Sequence, residues 1–428
     1  MTRLAASVAI RTPRSGRGAQ VIFNFPTTGQ TVSVPLRNRD AIRALRSKAG
    51  YYLDRLLPMV GASAGRGGDV GPVLGFLLNA GRELALLLVG HDTNRLFTLE
   101  DAFRAAWSTW ARADWDDAEQ TMPAVDVVSH DETLPLELIP FFDFGPPRAL
   151  RTSDEIARAA SRFLGFTASV RRVLPSSIQV GDNVLRNVPT LPVQLIRHRS
   201  LRGSETEETF LSSMRDFISI DGPWPQMQDN AEVVDALARA LYEGTSLCKE
   251  IPPDPPIQIH HFSCHSNTSS EHYDDYTLRL STRRGARREI SFAQLRTAHL
   301  DQLASDAGRR SPRSRAVIIL NSCASSRTDP LTAVSFPLWF LKCGHRAFIG
   351  TEADVPDMVA ARFAESLYGR ILEYRRPLGE ALVWARRDLL RDFRNPLGLL
   401  YAAYGNSDLM IEAARPGSYR AARRSNVA

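Results

Sequence analysis

Apolar and polar positions fall into two textures along the chain. In the first, residues 21–36, "VIFNFPTTGQTVSVPL", alternate apolar and polar side chains around a Thr-Gly turn, which predicts a β-hairpin. From Asp40, a residue suited to starting a helix, Ile42, Leu45, Ala49, Leu53 and Leu56 recur at helical spacing. A glycine-rich stretch over 61–71 interrupts the pattern. "GPVLGFLLNAGRELALLLVG" and "LEDAFRAAWSTWA" then predict two more helices. Residues 20–123 are therefore expected to form a hairpin-plus-helices segment.

The second texture begins near residue 124. Short β-rich runs at 125–129, 193–198, 257–263, 317–320 and 347–350 alternate with helical patterns near 153–165, 231–243, 292–304 and 331–342. Two long helices follow. One carries Val359, Phe363, Leu367 and Ile371 on one face, the other Leu378, Ala381, Leu382, Ala385 and Leu389. Such alternation predicts an α/β fold over 124–411, a mainly parallel sheet with helices on both faces. Residues 277–292 interrupt it as a hairpin with a basic turn. No repeat of 20–50 residues is present, so helix-repeat arrays are excluded.

The net charge of +6 over 428 residues invites a nucleic-acid reading, but its placement argues against one. Residues 1–19 carry +4 and residues 412–428 carry +3, which leaves −1 for the body between them. Both ends are expected to be flexible basic tails. The first, Arg-rich and free of acids, has the composition of a transit peptide, but a floppy start is the preferred reading. No apolar run approaches the ~18 residues of a membrane span; the longest, 84–89, is short. Four cysteines (Cys248, Cys264, Cys323, Cys343) lack the spacing of a secreted disulfide framework and read as thiols in a reducing, cytoplasmic compartment.

In a parallel sheet, functional residues gather beyond the carboxyl ends of the strands. "IQIHHFSCHS" (257–266) and "VIILNSCASS" (317–326) are apolar runs that deliver His265 and Cys323 to such ends. A thiol needs a base to become a thiolate at neutral pH, and imidazole is the usual partner. Small residues around Cys323 admit a substrate backbone and leave amides to receive an oxyanion. By spacing alone, however, a structural cysteine and histidine remain the commoner reading. A zinc site built from His260, His261, Cys264 and His265 is disfavoured, because neighbours on one strand point to alternating faces. His261 and Cys264 read as packing residues, and Glu137 as structural. Cys343 and His345 precede a strand, at the wrong end for a site.

Several stretches together, "HHFSCHS", "VIILNSCASS", "VSFPLWFLKCGHRAFIGTEADVPD", "RFAESLYGRILEYRRPLGEALVWARRDLL" and "LGLLYAAYGNSDLMI", resemble the CHAT peptidase domain, a bacterial branch of the caspase–separase superfamily. Residues 126–142 resemble its early strand and "LPxE" segment. The resemblance implies a caspase-like fold over 124–411 and a cysteine endopeptidase with His265 as general base and Cys323 as nucleophile. Backbone amides at Ser266 and Cys323 would hold the oxyanion. Ser266 stands where the family usually has glycine, which leaves a degenerate interaction module as the alternative. No cofactor or metal is implied. The implied partners are a protein substrate, such as a gasdermin-like pore former encoded by a neighbouring gene in bacterial defence or cell death, and a sensor or activator; no membrane or nucleic acid is expected. Asn321, Asp354 and Asp357 are candidates for a specificity pocket, although Asp354 and Asp357 read first as helix caps. The pocket is expected to be mainly apolar.

Overall fold

The protein, in a computed structural model, is described over residues 4–11, 18–36, 40–60, 70–107, 121–128, 134–146, 150–173, 183–187, 189–226, 229–249, 255–268, 276–282, 284–305, 315–322 and 336–412. Strands β1 (Leu4–Arg11), β2 (Ala19–Phe25) and β3 (Gln30–Leu36) precede helices α1 (Asp40–Val60), α2 (Val70–Leu88) and α3 (Thr93–Trp107). Then come β4 (Ala124–Val128), α4 (Ser153–Ala160), α5 (Leu164–Thr167), β5 (Ser169–Val173), β6 (Val184–Leu185), β7 (Leu191–Arg197), α6 (Arg202–Ser213), β8 (Ile218–Trp224) and α7 (Asn230–Glu243). The last part holds β9 (Ile259–Ser263), β10 (His265–Thr268), β11 (Tyr276–Ser281), β12 (Arg287–Ser291), α8 (Phe292–Ser305), β13 (Val317–Asn321), α9 (Phe336–Lys342), β14 (Ala347–Thr351), α10 (Asp357–Leu372), α11 (Leu378–Phe393), β15 (Tyr401–Gly405) and β16 (Met410–Ile411).

Eleven strands form one sheet in the order β3-β2-β1-β4-β5-β15-β14-β13-β9-β7-β8. From β14 outward, β13, β9, β7 and β8 all run parallel. β15 is antiparallel to β14 and parallel to β5, so the direction reverses at that seam. This is the expected mainly parallel sheet. Strand alternation sorts its side chains. Val317 and Ile319 enter the core beneath α10 and α11, whereas Ile318 and Leu320 enter the core beneath α7, α8 and α9.

The expected flexible tail over 1–19 does not hold for its described part. β1 pairs antiparallel with β2 and parallel with β4, and Ala5, Ala6 and Val8 are buried. Arginine content masked an alanine-weighted strand whose stability comes from its neighbours. β1 also joins the N-terminal hairpin to the main sheet, so no gap in strand pairing marks the expected boundary at 123/124. Residues 412–428 lie outside the described residues, Glu412 excepted. Helix α2 corrects the reading of apolar runs: among the described residues it is the one helix long and apolar enough to cross a membrane, with half of it buried inside the fold.

A buried ionic cluster closes the seam. Arg172 on β5 donates from both terminal nitrogens to Glu137, at 2.6 and 2.7 Å. Its guanidinium also lies 5.1 Å from the centre of the Tyr404 ring on β15. Arg386 on α11 donates to the carbonyls of Gly165 and Tyr401 and stands 3.7 Å from Glu137. Glu137 is thus structural, as its sequence context suggested. A buried pair of this kind is costly to break from one side, because the surviving charge has no solvent. Glu137→Gln should lower unfolding free energy by about 3–5 kcal/mol. Urea denaturation checks this, and a Glu137→Leu/Arg172→Met double variant should recover much of the loss.

Two buried histidines make stability pH-dependent. Burial pushes the His260 imidazole down to about 3 and holds His345 well below the ordinary histidine range, where His260 and His299 push the same way. The unfolded chain binds these protons below about pH 6.5, while the folded chain does not until much lower pH. Stability should therefore fall as pH drops below about 6.5, by about 1.4 kcal/mol per pH unit for each such histidine. Denaturation midpoints measured from pH 7 to 4 should show a shallower decline in His260→Phe.

Candidate active site

β9 and β13 are adjacent and in register, with Phe262 opposite Leu320 and Ser263 opposite Asn321. Their carboxyl ends therefore open side by side. Beyond β9 the chain bends at Cys264, and His265 opens β10, which pairs with β11 so that His265 faces Arg279. Beyond β13 comes Ser322, whose carbonyl accepts the Thr351 hydroxyl at 2.6 Å. Cys323, the expected nucleophile, follows Ser322 in the chain and lies outside the described residues.

A pocket of about 310 Å³ sits at these strand ends. Ser263, Cys264 and His265 line it from β9 and the bend, Asn321 and Ser322 from β13, and Thr351 from β14. Leu201, Ser204 and Glu207 close it from the α6 side, and Val355, Asp357 and Ala360 from the α10 side. The hydroxyls of Ser204 and Ser322 are buried and have no hydrogen-bond partner among the described residues. Glycine at 203 is required by the walls: a Cβ there would stand 2.1 Å from the Asp357 carbonyl oxygen.

His265 is half-buried. Burial pushes its imidazole below the ordinary range, Arg279 adds to that shift, and Asp357 opposes it. A neutral imidazole beside the pocket is available to take a proton. Ser266 is buried in the β10 ladder opposite Leu278. It is absent from the non-glycine residues with positive φ (His91, Arg375 and Arg394), so serine incurs no left-handed strain at a place where the family usually has glycine. Cys264 is buried in the core shared by Phe262 and Leu320, as expected of a packing residue.

Of the three candidate pocket residues, the structure brings two together. Asn321 is 5% exposed and fully committed. Its amide donates to Glu207 Oε1 at 2.7 Å and to the Ala360 carbonyl at 3.1 Å, and its Oδ1 accepts the Tyr401 hydroxyl at 2.6 Å. Asp357 lines the pocket, and its oxygens accept the backbone N–H groups of Met358 and Gly203. Asp354 is exposed and outside the pocket. The expected capping by Asp354 also fails, because Pro356 occupies the N-cap and no side-chain cap bond forms.

Sequence reasoning missed Glu207. It accepts Asn321 through one oxygen and meets His261 Nε2 at 2.5 Å through the other, while His261 Nδ1 lies 3.3 Å from the Tyr368 hydroxyl. His261 is therefore a buried hydrogen-bonded link and more than a packing residue. A signal for Glu207 was present: Gly203, Ser204, Glu207 and Leu211 form the buried stripe of α6, so an acid occupies a core position. His260, His261 and His265 face three different surroundings. Among the described residues no group of three His, Cys, Asp or Glu side chains is disposed to hold a metal.

A 103-residue stretch is 30% identical to a probable protease of Vitiosangium sp. (strain GDMCC 1.1324), covering 24% of this chain and 13% of that protein. Among solved structures, the chain is similar to a chain of the Saccharomyces cerevisiae separase–securin complex at 3.0 Å resolution. The TM-score is 0.38 at 11% identity, over 96% of this chain and 30% of that one. A second structure of that complex, at 2.6 Å, gives 0.37 at 11% identity over 95% and 30%. The chain thus spans less than a third of the length of each. The profile of the CHAT domain family matches residues 149–410, which is 262 of the 428 residues, and the chain belongs to that family.

Proposed function

We propose that the protein is a cysteine endopeptidase in which Cys323 is the nucleophile and His265 the general base. The observation that carries this reading is the adjacency of the β9 and β13 ends at one pocket, with His265 at one and the residue preceding Cys323 at the other. His265 takes the thiol proton and the thiolate attacks the scissile carbonyl. The oxyanion is held by backbone amides near Ser266 and Cys323. Collapse of the tetrahedral adduct breaks the C–N bond, and the imidazolium returns its proton to the leaving amine. Water, deprotonated by the same imidazole, then hydrolyses the thioester. No cofactor takes part.

The pocket is read as the S1 site. Its Leu201, Val355 and Ala360 walls suit an apolar side chain of leucine or methionine size. The prior hydrogen bonds of Asn321 and Asp357 favour that reading over a cation site, since an unpaired buried charge costs several kcal/mol. The substrate is proposed to be a partner protein encoded by a neighbouring gene, such as a gasdermin-like pore former cut during bacterial defence or cell death in the cytoplasm. The alternative, an inactive interaction module, rested on serine at 266; the unstrained backbone there weighs against it.

Cys323→Ala and His265→Ala should each reduce cleavage of a native protein substrate by at least about 10³-fold, with thermal unfolding unchanged. Retained cleavage by Cys323→Ala would reject the assignment. A peptide library profiled with active enzyme should show apolar P1 preference. Strong selection of arginine or lysine would refute the apolar pocket, and its loss in Asp357→Asn would make Asp357 the pocket acid.

A further inference from the structure

His198 has no part in the reading above, yet its ring lies against His265. It follows β7 directly, and its backbone N–H donates to the Ser263 carbonyl at 2.8 Å, which carries the β7–β9 ladder one residue further. That bond fixes the two chains where His265 departs. The ring centres of His198 and His265 are 5.1 Å apart at an interplanar angle of 69°, an edge-to-face contact. His198 is buried.

The tautomer of His198 follows from its partners. The backbone N–H of Ser200 points at His198 Nδ1 at 3.3 Å, and the Ser200 hydroxyl lies 2.8 Å from the same atom. A backbone N–H only donates, so Nδ1 is an acceptor and the ring proton sits on Nε2. Around the pair stand Arg279 on β11, Arg287 on β12 and Asp357 on α10. Burial, helped by His265, Arg287 and Arg279, pushes His198 down to about 4, so its ring is neutral near neutral pH.

We propose that His198 is a positioning residue for His265: a ring held in one tautomer by Ser200 that packs edge-on and fixes the orientation and dryness of the general base. Its role is exerted through His265. The inference rests on the reading of His265 as general base. Its physical content is that the His198 ring excludes water from His265, which disfavours the imidazolium. Removing the ring hydrates His265 and frees its rotamer.

The test is an NMR titration of His265 in the full chain, with His265→Gln used to assign its resonance. His198→Ala should raise the His265 pKa by about 0.5–1 unit, whereas His198→Phe, which keeps an aromatic ring, should leave it within about 0.2 unit of wild type. In turnover, His198→Ala should lower kcat about 10-fold with KM unchanged and move the acid limb of the pH profile upward by the same amount. His198→Phe should restore both. An unmoved His265 in His198→Ala, or equal displacement in the alanine and phenylalanine variants, overturns the proposal. Loss of kcat as complete as in His265→Ala also overturns it, since His198 would then be catalytic. If the alanine variant does not fold, His198→Gln, polar and ringless, takes its place with the same expectation. The titration requires no cleavage. An inert wild-type protein with the expected titrations would reject the peptidase reading and leave the packing of the two rings intact.

Discussion

The constraint on which the site depends is the buried amide of Asn321. It ends β13, faces α6 and α10, and has every hydrogen bond it needs from Glu207, Ala360 and Tyr401. Four elements are thereby tied at one point: β13, α6, α10 and β15. Tyr401 in turn stacks on Phe363 of α10, with ring centres 3.5 Å apart and planes 8° from parallel. An unpaired amide at this depth would cost about 1–3 kcal/mol, so the network is stable only when complete. Its completeness holds the strand end that leads to Cys323 in one place relative to the end that carries His265.

The same network explains the division of labour at the strand ends. Alternation along β9, β13, β14 and β15 sends His261, Asn321, Thr351 and Tyr401 to one face of the sheet, toward α6 and α10. His261, Asn321 and Tyr401 are joined there through Glu207 and Tyr368, and the Thr351 hydroxyl donates to the Ser322 carbonyl. Past those positions the main-sheet strands end, and His265 and Ser322 follow at the pocket. Rigid polar packing beneath a strand end is one way a sheet can hold side chains past it in a fixed geometry. On the far side of the sheet, the Arg172–Glu137 pair performs a comparable task at the seam, where the strand direction reverses.

Much of this was legible in the sequence. The apolar runs of β9 and β13, the place of His265 just past the end of β9, and the two long helices, the first with Val359, Phe363 and Leu367 on one face, follow from periodicity and motif. What escaped has physical reasons. β1 is rich in alanine and lies in an arginine-rich stretch, so its composition matches a tail, and only pairing with β2 and β4 makes it a strand. β8, "ISIDGPW", mixes glycine and proline with polar residues, as an edge strand tolerates. Glu207 looked like one of several acids in "SETEETF", because nothing local distinguishes a solvated glutamate from one beneath a pocket. Asp354 looked like a cap because an acid before proline usually is one, whereas here Pro356 itself takes that position.

The account turns on whether Cys323 is activated by His265. The most direct measurement is covalent labelling of the intact protein by a peptidyl acyloxymethyl ketone ending in leucine, with the modified residue located by peptide mass spectrometry. The account predicts a single adduct on Cys323, formed rapidly by wild type and lost in His265→Ala. An unlabelled Cys323 in wild type, or equal labelling with and without His265, would contradict it.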